Sequence, residues 1–113
     1  MGKLAGEYRF ELRLRKLFEK AGYIAIKCAR SKPLDLIIMK DGTVMTIEVK
    51  SARGILTEEQ LEMQINLAKK AGVNYAIFKQ MKKGKIKVSS SKGLLSKEAL
   101  NEIQKVLGKR MIK

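Results

Sequence analysis

Phe10, Leu14, Leu17, Phe18 and Ala21 recur at helical spacing, and Gly22 supplies a stop, so residues 5–21 are expected to form an amphipathic helix. Residues 23–28 then read as a strand. Residues 34–39 and 43–49 read as two more, joined by the hairpin dipeptide Asp41-Gly42. Thr57-Glu-Glu-Gln60 is a capping box with Leu56 and Leu61 at staple positions, which starts a second helix running to Gly72. Residues 74–79 form a fourth strand. Lys82 to Lys85 turn the chain into a short fifth strand at residues 86–88, and a polar loop leads to a last helix after Ser96 that ends near Gly108. The order αβββαββα, without a repeat or long linker, predicts one α/β domain over residues 1–113, with a central sheet of about five strands flanked by helices. The second and third strands are nearly continuous apolar runs, so both of their faces must be covered.

Composition narrows the chemistry. The chain has 113 residues, no histidine and one cysteine, which excludes a zinc site, a Ser-His-Asp or Cys-His pair, a histidine general base and an internal disulfide. Catalysis would have to use carboxylates, lysine, hydroxyls and a hard metal ion. A net charge of +14 points to a polyanion, nucleic acid first. That charge is unevenly spread: residues 1–32 and 79–113 are strongly basic, whereas residues 33–78 carry five basic and six acidic side chains. Carboxylates inside a phosphate-binding surface suit a nuclease, although a core region also holds fewer charges of any kind. No apolar run is long enough to span a bilayer and no targeting segment is evident, so no membrane partner is expected, and a lone reduced Cys28 suits a cytoplasmic setting.

The turn fixes where the carboxylates fall. A two-residue Asp41-Gly42 turn pairs Lys40 with Thr43, and counting back places Asp35 opposite Glu48, on one face with Lys50. Two opposed carboxylates repel unless a cation or proton lies between them, and with no soft ligands the fitting cation is Mg²⁺ or Mn²⁺. The alternative is a solvated Asp at a strand start and a Glu-Lys pair at a strand end. A three-residue loop would also shift the register and separate the pair. Glu11 lies on the apolar stripe of the first helix and needs a partner there; Glu7, one turn earlier, is the competing candidate.

Pro33-Leu34-Asp35, twelve residues, then Glu48-Val49-Lys50 resembles the PD-(D/E)XK nuclease signature. With the upstream helix carrying Glu11, the Ala29-Arg30-Ser31-Lys32 approach, the hairpin and the helix from Thr57, almost the whole chain resembles the archaeal-type Holliday junction resolvases. The resemblance implies a restriction-endonuclease-like fold with a mixed sheet. It implies a Mg²⁺-dependent endonuclease, with Mn²⁺ as substitute, acting as a homodimer on four-way junctions in an archaeal or archaeal-virus-infected cell. It further implies that Glu11, Asp35 and Glu48, with the Val49 carbonyl, are metal-site residues, that Lys50 is the catalytic lysine, and that Ser31 is a catalytic residue in a DNA-facing segment. Lys27 stands where the family tends to have arginine, and Leu12 where arginine often follows the glutamate. DNA contacts are therefore expected from Arg9, Arg13, Lys27, Arg30, Ser31, Lys32 and Arg53, with Arg15 as a further source of charge. Two other readings stay open: a flap or replication-repair nuclease of the same superfamily, which Lys50-Ser51-Ala52-Arg53-Gly54 also resembles, and a non-catalytic basic DNA-binding protein. A dimer interface is expected to draw on apolar residues among Met63, Ile65, Tyr75, Phe78, Leu100, Ile103 and Leu107.

Overall fold

The computed structural model describes residues 5–29, 33–91 and 93–112. Helix α1 (Ala5–Lys20) leads into strand β1 (Ile24–Lys27), followed by the hairpin of β2 (Leu36–Lys40) and β3 (Thr43–Lys50). Helix α2 (Glu58–Ala71) crosses to β4 (Asn74–Gln80), and β5 (Ile86–Ser89) leads to helix α3 (Lys97–Leu107). A 3₁₀ turn, Gly108–Arg110, then aims the chain into a two-residue strand, β6 (Met111–Ile112), which pairs parallel with β5. The sheet therefore has six strands in chain order, one more than the pattern predicts. Two residues are too few to show a period, and Gly108 marks the end of α3 without encoding the path of the chain beyond it.

The hairpin turn behaves as its sequence requires. Asp41 and Gly42 both have positive φ, the geometry of a two-residue turn matched to strand twist, and Lys40 faces Thr43. The β3-to-β4 pairing is parallel, which requires a crossover that α2 supplies, and it makes the sheet mixed. At α2 the capping box is complete: Thr57 accepts from the Gln60 N–H, and Gln60 accepts from the Thr57 N–H.

The helices divide between the two faces. Phe10, Leu14 and Phe18 of α1 and Ala99, Ile103 and Leu107 of α3 pack on Leu36, Ile38, Met45, Ile47, Val49 and Phe78. On the other face, Leu61, Ile65 and Ala68 of α2 pack on Leu34, Tyr75 and Ile77. Alternate residues of β3 thus serve different layers, and Thr46 and Glu48 are directed to the α2 side. Four of the residues considered for an interface, Tyr75, Phe78, Ile103 and Leu107, are instead fully buried within the chain. Strands covered on both faces give continuous apolar runs, from which core and interface look alike.

Candidate active site

Asp35 immediately precedes β2, and its backbone still follows the hairpin: its N–H donates to the Ile47 carbonyl, and its carbonyl accepts from the Cys28 N–H. This keeps Asp35 beside Glu48. One Asp35 carboxylate oxygen accepts from the Val49 N–H at 2.7 Å, which fixes the side chain across the end of β3. Glu48 is 7% exposed, and Lys50 Nζ lies 3.3 Å from its Oε2. Burial first, and then the Asp35 charge, push the Glu48 carboxyl up to about 7; a hydrogen bond to Asp35 acts in the same direction, while Lys50 and Gln64 oppose it. The Glu48 carboxyl therefore holds its proton more tightly than an ordinary glutamate, beside the Asp35 carboxylate.

Gln64, one of the residues that position this site, is not among those predicted. It lies on α2, is 2% exposed, and donates to Glu48 Oε1 at 2.8 Å and to the Pro33 carbonyl, while its own oxygen accepts from the Tyr75 hydroxyl. Burial, followed by the charges of Glu48 and Asp35, raises the Tyr75 hydroxyl above its ordinary pKa, so it stays a donor. Gln64 sits three residues after Leu61 and four before Ala68, on the apolar stripe of α2. A polar residue on such a stripe is the same signal that singled out Glu11.

Glu11 is buried, as its place on the α1 stripe predicts, and its Oε2 lies 3.5 Å from Lys27 Nζ. The Lys27 ammonium also sits 5.0 Å above the Tyr8 ring. Cys28 lies between the two acidic regions: burial raises its thiol pKa, and the charges of Asp35 and Glu11 add to the effect. Among the described residues no group of three or more His, Cys, Asp or Glu gathers around one point. The structure therefore brings Asp35, Glu48, Val49 and Lys50 together and holds Glu11 against Lys27, on the helix that packs on the opposite face. Glu7 has a separate task. Its Oε2 accepts from the Ser51 N–H at 2.9 Å, tying α1 to the segment that follows Lys50. Arg9, Arg13 and Arg53 are exposed, and Arg30, Ser31 and Lys32 fall outside the described residues.

Among the described residues no helix is long and apolar enough to cross a membrane. The chain matches the archaeal Holliday junction resolvase (Hjc) family over residues 4–109. No curated protein matches it significantly. Among solved structures it is similar to Hjc of Archaeoglobus fulgidus, described as a Holliday junction resolvase from an archaeal hyperthermophile. The TM-score is 0.59 and the identity 23%, over 69% of this chain and 73% of that one, a likeness of fold.

Proposed function

The chain belongs to the archaeal Holliday junction resolvase family and is a structure-specific, junction-resolving nuclease, and we propose that Asp35, Glu48 and Lys50 carry its chemistry with a divalent cation, Mg²⁺ foremost. The observation that carries this reading is the geometry at the end of β3: Asp35 anchored on the Val49 N–H and Glu48 beside it, with Lys50 Nζ 3.3 Å from Glu48 Oε2. The donor set fits the ion: two hard carboxylates and the Val49 carbonyl supply part of a shell, and Mg²⁺ commonly takes one or two carboxylates and fills the rest with water and phosphate oxygens. Such an ion, when bound, polarises the scissile phosphate and lowers the pKa of a water molecule.

The protein's own groups then divide the work. Val49 N–H holds Asp35, and Gln64 holds Glu48, so neither carboxylate has to reorganise when substrate arrives. Lys50, on the same face, orients a water molecule and offsets the negative charge that develops on the phosphorus centre. The Glu7 bond to Ser51 fixes the backbone next to it. Glu11 positions Lys27, and we assign phosphate contacts to Arg9, Arg13, Lys27, Arg30, Ser31, Lys32 and Arg53. Such contacts hold branched DNA without reading its sequence.

Resolution cuts two strands at symmetry-related positions, and one chain offers one Asp35–Glu48 pair, so the active form in this reading is a two-fold dimer. Ile24, Ile26, Met63 and Leu67 are exposed, and Ile24 and Ile26 pair with Met39 and Ile37 on the α2 side of the sheet, which makes the β1 end of that side, away from β4 and β5, the fitting interface. The test of the site compares a four-way junction, a flap and a linear duplex, with and without Mg²⁺. Asp35→Asn is expected to abolish junction cleavage while junction binding persists. Cleavage at the wild-type rate would refute the site, and preference for the flap would favour a replication-repair role.

A further inference from the structure

The sheet register lines up three lysines. Lys50 of β3 pairs with Lys79 of β4, and Lys79 pairs with Lys87 of β5. Directly paired residues emerge on the same face, and neighbouring strands lie about 4.8 Å apart, so the row runs about 10 Å outward from the proposed catalytic lysine. All three lie at the same end of the sheet: Lys50 closes β3, Lys79 is next to last in β4, and Lys87 is second in β5. Lys50 has Glu48 beside it. Among the described residues neither Lys79 nor Lys87 takes part in an ion pair; Lys79 is half-buried and Lys87 is exposed. Like charges directly opposed across a ladder destabilise it, so the row carries an unfavourable term that an anion of matching extent would relieve.

We infer that Lys79 and Lys87 form, with Lys50, a phosphate track that carries the DNA backbone away from the scissile phosphate across β4 and β5. The occupant is a nucleic-acid backbone because the row is continuous with the site where a phosphodiester reacts. The turn joining β4 to β5 carries the exposed Lys82 and Lys83, in a segment whose charge is overwhelmingly basic. At its Lys50 end the inference rests on the function proposed above; at Lys79 and Lys87 it rests on the register.

The test measures binding of a fluorescent four-way junction in EDTA between about 50 and 200 mM salt, independent of cleavage. Each phosphate contact contributes about 0.9 to the slope of log affinity against log salt, so the double variant Lys79→Gln/Lys87→Gln is expected to flatten it by about 1.8. Lys79→Arg/Lys87→Arg should keep the wild-type slope. The charge-matched control Lys69→Gln/Lys70→Gln, in the last turn of α2, removes as much charge far from the row and should leave the slope unchanged. Removing opposed charges should hold or raise the melting temperature at low salt, so a loss of binding through misfolding is separately visible. An unchanged slope in the Lys79/Lys87 variant, or an equal flattening in the control, would overturn the track. Failure of wild-type protein to cut junctions would instead count against the proposed function and leave the binding result standing.

Discussion

Replacing Gln64 by leucine keeps the volume of a buried side chain and removes its three hydrogen bonds at once. The groups left behind are a Glu48 carboxyl oxygen, the Pro33 carbonyl and the Tyr75 hydroxyl. A buried polar group left without a partner costs about 1–3 kcal/mol; three of them, taken near the low end of that range, cost about 4 kcal/mol, and leucine returns roughly 1 kcal/mol through its apolar surface, so Gln64→Leu should destabilise the fold by about 3 kcal/mol. For a domain of this size that lowers the melting temperature by roughly 12 °C, readable by calorimetry or urea titration at fixed protein concentration. Tyr75→Phe should cost only about 1 kcal/mol. The double variant should cost less than the sum, because phenylalanine presents no orphaned hydroxyl to the leucine side chain introduced on α2. Gln64 also lowers the Glu48 pKa, so its removal should move the Glu48 carboxyl titration upward in a metal-free ¹³C NMR experiment. A loss of stability below about 1 kcal/mol, or strict additivity with Tyr75→Phe, would refute the claim that Gln64 couples Tyr75 to Glu48.

The raised Glu48 pKa sets the sign of a pH effect. The folded protein binds that proton near pH 7 and the unfolded chain near the ordinary 4.5, so without metal, stability should fall between those values by at most roughly 3 kcal/mol. Glu48→Gln should remove that slope, added Mg²⁺ should raise the melting temperature more at pH 8 than at pH 5, and a metal-free stability that rises through the window would contradict the assignment. At Gly54 a Cβ would come within 2.6 Å of Glu7 Oε2, 3.1 Å of Lys50 Cδ and 3.3 Å of Ser51 N, so Gly54→Ala should cost about 1–3 kcal/mol. Glu7→Ala in the same chain should relieve part of that cost, and independent effects would show that the two do not meet. For assembly, light scattering at micromolar concentration is expected to give a dimer mass, and a cruciform plasmid should be linearised within one binding event; a monomer that only nicks would rule out paired sites.

How much of this could be read from the sequence depended on how far each determinant acts along the chain. Asp41-Gly42 is a local signal with a single compatible turn, and it set the Lys40–Thr43 pairing from which the proximity of Asp35 and Glu48 followed by counting. The capping box at Thr57 and Gln60 is equally local. Glu11 could be recognised as buried from its stripe, but its pairing with Lys27 depends on where β1 docks beside α1, which no spacing within the helix encodes. Gln64 carried the same stripe signal among Leu61, Ile65 and Ala68, and polar α2 residues nearby, together with the capping role of Gln60, masked it. The lysine row lies further out of reach. β3 and β4 are joined through a helix, and a connection of that kind fixes the direction of a parallel pair but not its register. A shift of one residue would turn Lys79 to the opposite face and set Phe78 beside Lys50. Packing on both sides of β4 excludes that shift: Phe78 is buried under α1 and α3, and Tyr75 reaches Gln64 beneath α2. The same contacts that orient Glu48 through Gln64 therefore hold Lys79 in line with Lys50, so loosening Tyr75 should affect the carboxylate pair and the phosphate track together.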